Sequence, residues 1–160
     1  MLGEGRAVGA DRGVGSQTQN DPNRLHPPHT HRAPQIARAF SREVITPGKT
    51  TAADVQWWYR DTLASLGLMP WFHPSVGIQR EGADGLLDGD SVIQPGDLLW
   101  TDFGITYLRL NTDTQHLAYV LKPGETEAPA GLRAGLAATN RVQDALVESF
   151  ETGLTGNQVL

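Results

Sequence analysis

Two aspartates carry the strongest chemical signal in the sequence. Asp102 lies in an otherwise apolar stretch that runs from Leu98 to Ile105, and Asp113 follows eleven positions later. An ionised carboxylate in an apolar strand is unfavourable unless it is paired or bound to a metal. If the intervening residues form a hairpin, we expect Asp102 to lie directly opposite Asp113. Two carboxylates at that distance repel unless a cation separates them, and hard divalent metals prefer such oxygen ligands.

A structural role for the same two aspartates is the alternative. Aspartate at the end of a strand commonly caps a turn, and the segment Asn111-Thr112-Asp113 is itself typical of a turn. Two carboxylates also do not make a closed set of metal ligands. Spacing alone therefore leaves the metal site and the turn cap open.

The N-terminal segment predicts a tail. Residues 1–34 are rich in Gly, Pro, Asn, Gln and Arg and contain only scattered Leu and Val, so they cannot bury enough apolar surface to offset the entropy of ordering. His26, His29 and His31 could hold a metal, but a flexible proline-rich tract is the favoured interpretation, since no carboxylate follows at a fixed offset. We expect a disordered tail over residues 1–34 and one folded unit over residues 35–160.

The folded unit must supply strands and helices that position the aspartates. A cap at Thr50 or Thr51 predicts a helix that carries apolar residues at helical spacing and ends at Gly67. Strands are expected at residues 71–78 (interrupted at Pro74), 98–104, 107–110 and 117–121, with a polar surface loop over residues 81–91. A second helix should begin after Pro129 and end at Gly153, and the four tryptophans are expected to be core and packing residues and not a substrate box.

Composition limits the classes of function. The chain has 160 residues, 39% of them hydrophobic, and a formal net charge of −5. This charge, with no Lys/Arg cluster, disfavours nucleic-acid binding. The apolar runs are too short for a membrane span, so no membrane partner is expected. The sequence has no cysteine, which excludes disulfides, thiol nucleophiles and cysteine-based zinc sites and is compatible with a cytoplasmic protein.

The spacing of these motifs resembles that of the pita-bread metallopeptidases, of the aminopeptidase P, Xaa-Pro peptidase and methionine aminopeptidase type. Asp102-Phe103-Gly104 followed by Asp113 is similar to the paired-aspartate signature of that family. Three further segments agree in order with the family pattern: VITPGKTT at 44–51, FHPSV at 72–76 and IQPGDL at 93–98. The resemblance covers about residues 35–160.

The resemblance implies a fold and a set of site residues. The fold would be α/β (α+β), a partial pita-bread fold with a curved antiparallel sheet and flanking helices. The family binds its metals through two Asp, one His and two Glu, and Asp102 and Asp113 match the two Asp. His73 matches the catalytic histidine that contacts the scissile carbonyl or the tetrahedral intermediate. The alternative for His73 is a partly buried strand histidine with a satisfied hydrogen bond.

Some family features are expected beyond residue 160. The metal-binding His and both Glu should lie further along, so we expect this chain to be the N-terminal half of the domain and inactive by itself. Glu148 and Glu151 are not expected to replace them, since they lie near the end of a predicted helix. The family often carries Thr and then Arg after the second Asp, where this chain has Gln115 and His116. His116 is expected to be structural, with a position beside the metal site left open.

The family also implies an activity. The parent protein would be a metal-dependent exopeptidase that removes N-terminal residues from peptides, including residues before proline, by means of a water activated by two divalent metal ions. Mn²⁺ or Co²⁺ is expected, with Zn²⁺ as a further option, and a homodimeric parent is left open. The alternatives are a non-catalytic protein that binds peptides or proteins, and an inactive truncated product.

Overall fold

A computed structural model describes residues 38–159. After a 3₁₀ turn at Arg38–Phe40, its elements in chain order are α1 (Ala52–Ser65), β1 (Met69–Pro70), β2 (Ser75–Gln79), β3 (Leu98–Phe103), β4 (Ile105–Tyr107), β5 (Leu110–Asn111), β6 (Thr114–Tyr119), α2 (Ala130–Glu148) and α3 (Gly156–Val159). The predicted tail and its three histidines lie outside the described residues. None of the helices within residues 38–159 is both long and apolar enough to cross a membrane.

Helix α1 begins where the sequence predicts a cap. The Thr51 hydroxyl accepts a hydrogen bond from the Asp54 N–H at 3.1 Å, and the Thr51 N–H donates to the Asp54 carboxylate at 2.8 Å. This reciprocal pair is a capping box and satisfies donors that a helix start otherwise leaves unpaired. The next two amides, of Ala52 and Ala53, donate to backbone carbonyls of residues 91 and 89. The start of α1 is therefore tied to the loop that precedes β3.

The same helix ends at the predicted glycine. Gly67 has a φ of +66°, in the left-handed region that favours glycine. Its N–H donates to the Ala64 carbonyl at 3.0 Å, and the Leu68 N–H donates to the Leu63 carbonyl at 2.9 Å. These two bonds form a Schellman motif, which turns the chain out of the helix and into β1.

Strand β3 is the central strand of an antiparallel sheet with the order β2-β3-β6. Leu99, Thr101 and Phe103 are buried, whereas the residues between them are only half-buried, as the twofold alternation of a strand requires. The buried face packs against α1, where the Tyr59 ring centroid lies 5.1 Å from that of Phe103. Helix α1 therefore covers one face of the sheet, and Asp102 belongs to the other face.

A second small sheet, with the order β1-β4-β5, continues from the first after Gly104. The predicted strand over residues 107–110 is interrupted, because Tyr107 ends β4, Leu110 begins β5, and the two residues between them form the hairpin turn. Leu108 and Arg109 have φ values of +48° and +67°, and Tyr107 pairs with Leu110 across them. Two successive positive φ values in a two-residue loop are the geometry of a type I′ turn, which matches the twist of the flanking strands.

The connection from β2 to β3 is held by one buried ion pair. Asp97 is 1% exposed, and the Arg80 guanidinium donates to its two oxygens at 2.8 Å each. The Gln94 N–H donates to the same carboxylate at 2.7 Å. The predicted loop over residues 81–91 is confirmed, except that Leu87 forms a bridge with Ile78. This network fixes the turn that leads into β3.

Helix α2 begins after Pro129 as predicted, but it ends at Glu148, before the expected stop at Gly153. Two of the four tryptophans that were expected to be core and packing residues lie outside the core. Trp57 is 59% exposed, and Trp71 is 48% exposed. Trp57 lies on the solvent side of α1, where the Arg60 guanidinium stacks on its ring at 4.7 Å. The Trp71 indole N–H donates a hydrogen bond to the Thr112 carbonyl, next to Asp113 in the chain.

Candidate metal centre

The predicted site residues lie at one end of the β2-β3-β6 sheet. Asp102 is near the C-terminal end of β3, where it pairs with Ser75 at the start of β2 and with Gln115 near the start of β6. Asp113 immediately precedes β6, and His73 lies two residues before β2. Antiparallel pairing thus brings the chain segments of all three residues to the same end of the sheet.

The cross-strand neighbour of Asp102 is Gln115, so the predicted direct pairing of Asp102 with Asp113 is wrong. The prediction placed the centre of the hairpin between Tyr107 and Leu108. The type I′ turn at Leu108 and Arg109 moves that centre by one residue, and the partner of every β3 residue moves by two. Asp113 consequently lies diagonal to Asp102, one residue before the start of β6.

The two carboxylates are nevertheless close enough to interact. Burial raises the pKa of Asp102 above its usual value, and the negative charge of the neighbouring Asp113 raises it further. A hydrogen bond from Gln115 partly opposes this rise, since the Gln115 amide Nε2 donates to Asp102 Oδ2 at 3.3 Å. The site therefore concentrates negative charge in a partly desolvated place.

Two hydrogen bonds orient the Gln115 amide. The Trp100 indole N–H donates to Gln115 Oε1 at 3.4 Å, which turns the Nε2 donor towards Asp102. Trp100, Asp102 and Gln115 belong to the same face of the sheet. Side chains alternate between the two faces along a strand, so Trp100 and Asp102 share a face, and Gln115 pairs directly with Asp102. From the sequence, Gln115 stood out only as a departure from a family pattern, and its contact with Asp102 became visible through the strand register.

A divalent cation fits the donor atoms of this site. Within residues 38–159, Asp102 Oδ1 is buried and has no hydrogen-bond partner, which is costly for an anionic oxygen. A cation held between Asp102 and Asp113 would satisfy that oxygen and remove their mutual repulsion. Both ligands are carboxylates, the type of donor that hard divalent ions prefer.

The described residues supply a pair of ligands and not a larger cluster. Among residues 38–159, no group of three or more His, Cys, Asp or Glu side chains is placed to hold a metal. His73 in particular is not gathered with the two aspartates into such a group. Its side chain is exposed and lies in the connection between β1 and β2, outside either strand. The role of His73 therefore stays a prediction.

His116 belongs to the other face of the sheet from Asp102. It pairs with Thr101, and its ring stacks on Phe103 with centroids 6.2 Å apart. Burial lowers the pKa of His116, which favours the neutral imidazole. These contacts agree with the expected structural role and place the side chain away from the two carboxylates.

Comparison with known proteins gives one family and a related fold. The model of metallopeptidase family M24 matches residues 29–160. The structure of an X-Pro aminopeptidase from Thermotoga maritima MSB8 superposes with a TM-score of 0.60 at 22% identity, covering 80% of this chain and 36% of that one. A recombinant prolidase from Thermococcus sibiricus gives a TM-score of 0.44 at 19% identity, covering 74% and 30%. The sequence has no match among curated proteins.

The superposition on the X-Pro aminopeptidase confirms the predicted partial pita-bread fold, with antiparallel strands and flanking helices. This chain spans about a third of the length of that structure.

Proposed function

Since this chain belongs to metallopeptidase family M24, we propose that it contributes two metal ligands, Asp102 and Asp113, to a metal-dependent exopeptidase that removes N-terminal residues from peptides. The observation that carries the proposal is the buried Asp102 Oδ1, which has no hydrogen-bond partner within residues 38–159 and lies near a second carboxylate. Such an arrangement is unfavourable without a cation and favourable with one.

The residues at this site have separate roles as metal ligands and as hydrogen-bond partners of those ligands. Asp102 and Asp113 supply the carboxylate oxygens, and Gln115 holds Asp102 Oδ2 so that Oδ1 stays free to bind a cation. When bound, two divalent ions (Mn²⁺ or Co²⁺ by preference) would polarise the peptide carbonyl and lower the pKa of the attacking water. The buried face of β3 packs on α1, on the side of the strand opposite to Asp102.

We assign His73 the part of a positioned hydrogen-bond donor to the substrate. Two observations support the proposal: the imidazole is exposed, and His73 lies two residues before Ser75, the residue that pairs with Asp102. A donor at that place would stabilise negative charge that develops on the peptide carbonyl oxygen. Peptides with an N-terminal Xaa-Pro bond are the substrate class that we propose.

The experiment is a peptidase assay on the protein expressed from its whole coding sequence, with Mn²⁺ present and Xaa-Pro dipeptides as substrates. Asp102→Asn and Asp113→Asn should each lower kcat/KM by more than about 100-fold, because each removes a direct metal ligand. Asp61→Asn is the matched control, since Asp61 is an exposed aspartate on α1. Full activity of either site variant would overturn the proposal, and peptide binding without hydrolysis would favour a non-catalytic role.

A further inference from the structure

Hydrogen bonds around Gly104 connect the three chain segments that carry the candidate site residues. The Trp71 backbone N–H donates to the Gly104 carbonyl at 3.2 Å. The Trp71 indole N–H donates to the Thr112 carbonyl at 2.7 Å, across 41 positions of sequence. The Thr112 N–H in turn donates to the Ile105 carbonyl at 2.9 Å. One tryptophan therefore bridges the segment before β2 and the segment before β6.

The hydrogen-bonded segments leave no space for a side chain at residue 104. A Cβ atom at Gly104 would lie 2.2 Å from Trp71 Nε1, 2.3 Å from the Thr112 carbonyl oxygen and 2.6 Å from Phe72 Cε1. The Phe72 ring also packs edge-on against the indole, with centroids 4.6 Å apart. Trp71 is thus held in one orientation by close contacts, although 48% of its surface is exposed.

The residue before Asp113 is held both by the Trp71 indole and by β4, because the Ile105 N–H also donates to the Thr112 hydroxyl at 3.0 Å. Asp113 lies between β5 and β6, so it belongs to neither strand. The Thr112 carbonyl and the Asp113 N–H share one planar peptide group. A hydrogen bond to the Thr112 carbonyl therefore restricts the orientation of the peptide plane that leads into Asp113.

We infer that Trp71 is a positioning residue for the metal site, which sets Asp113 against Asp102 through the hydrogen bond from its indole N–H to the Thr112 carbonyl. The role rests on the proposed function, because it assigns Trp71 to the same pair of ligands. The indole itself touches neither substrate nor metal in this assignment. It acts by holding the Asp113 segment in the arrangement that a cation requires, before the cation binds.

The test compares Trp71→Phe with the matched control Trp57→Phe in the full 160-residue chain. Phenylalanine keeps an aromatic ring beside Phe72 but removes the N–H donor. We expect Trp71→Phe to weaken Mn²⁺ binding by about two- to ten-fold, the effect of one lost hydrogen bond. We expect no change in Trp57→Phe, whose exposed ring lies on α1. In an Asp113→Asn background, Trp71→Phe should have no further effect on Mn²⁺ affinity, since the ligand that it positions is absent.

Two results would overturn the inference while the proposed metal site stands. The first is Mn²⁺ binding by Trp71→Phe that equals that of the original chain. The second is an equal loss with and without Asp113, which would indicate general destabilisation.

Absence of Mn²⁺ binding by the original chain would count against the proposed function, and hydrogen exchange in the metal-free chain then decides the role of Trp71. Faster exchange of the Thr112 amide in Trp71→Phe, beyond any global loss of stability, would support the restraint of this segment by the Trp71 indole. Unchanged exchange would refute it. If Trp71→Phe fails to fold, slow exchange of the Trp71 indole N–H in the original chain, relative to that of Trp57, supports the hydrogen bond from the indole to the Thr112 carbonyl. Equal exchange of the two indoles contradicts it.

Discussion

Asp102 faces Gln115, not Asp113, across strands β3 and β6, and the Gln115 amide donates to Asp102 Oδ2 at 3.3 Å. Gln115 thereby occupies the position at which a further carboxylate would lie directly beside Asp102. The second aspartate approaches from the diagonal position before β6. This relationship determines which substitutions should strengthen the cation site and which should weaken it.

Gln115→Glu should convert the neighbour of Asp102 into a third oxygen ligand. We expect Mn²⁺ to bind about three- to ten-fold more tightly, because one more negative charge faces the cation. The metal-free chain should lose about 0.2–1 kcal/mol of stability, since like charges directly opposite each other repel. Isothermal titration with Mn²⁺ and urea unfolding measure the two effects. Gln79→Glu, at the exposed end of β2, is the control and should leave Mn²⁺ affinity unchanged.

Gly104→Ala should destabilise the chain by about 1–3 kcal/mol, since the new methyl group would overlap the Trp71 indole and the Thr112 carbonyl. Gly135→Ala is the opposite case: Gly135 lies within α2, and a Cβ atom added there would meet nothing within 4 Å. Alanine there should stabilise the chain by about 0.5–1 kcal/mol, because it lowers the entropy cost of the helix. Urea unfolding of both variants provides the comparison, and equal effects would contradict the packing described at Gly104.

Asp97→Ala should be among the most destabilising single changes in the loop before β3. It removes the carboxylate that accepts two hydrogen bonds from the Arg80 guanidinium and one from the Gln94 N–H. We expect a loss of about 3 kcal/mol, at the lower end for a broken buried ion pair, since Arg80 keeps some access to water. Asp84→Ala, at an exposed position of the same connection, should change stability by less than about 0.5 kcal/mol.

The capping box of α1 predicts a defined pH dependence. Hydrogen bonds from the Thr51 backbone N–H, and then from its side chain, lower the pKa of Asp54 below its usual value. A carboxylate whose pKa is lower in the folded state stabilises the fold above its unfolded pKa, and this contribution disappears as the pH falls through the folded pKa. Asp54→Ala should therefore cost on the order of 0.5–1 kcal/mol at neutral pH.

Below the unfolded pKa, the stability difference between Asp54→Ala and the original chain should shrink. Urea unfolding at neutral pH and in steps below about pH 4 measures that difference. A difference that stays constant with pH would show that the carboxylate charge makes no contribution to the cap. Asp61→Ala, an exposed change on the same helix, provides the reference for a surface aspartate.

Local signals in the sequence predicted the elements whose ends are determined locally. The Thr51 cap and the Gly67 stop of α1 each depend on contacts within a few residues, and both were confirmed. The hairpin register was missed, because Leu108 and Arg109 adopt positive φ values without the Asn or Gly that usually indicates a type I′ turn. A displacement of one residue at the turn was enough to replace Asp113 with Gln115 opposite Asp102.

The contacts that arrange the candidate site could not be predicted from the sequence for a different reason. Trp71 and Thr112 are 41 positions apart, and their hydrogen bond exists only because two small sheets meet at Gly104. An isolated tryptophan in an apolar segment favours a core position on composition alone. Its half-exposed place beside the aspartates follows from the three-dimensional fold.

The most direct test of the two aspartates as metal ligands is a map of Mn²⁺ binding on the metal-free chain by paramagnetic broadening of its amide resonances. We predict saturable broadening centred on Asp102 and on residues 113–115, and its loss in Asp102→Asn and in Asp113→Asn. Broadening that is centred on the acidic loop at residues 81–91 or on the histidines at 26–31, or that survives both substitutions, would contradict the assignment of these two aspartates as metal ligands.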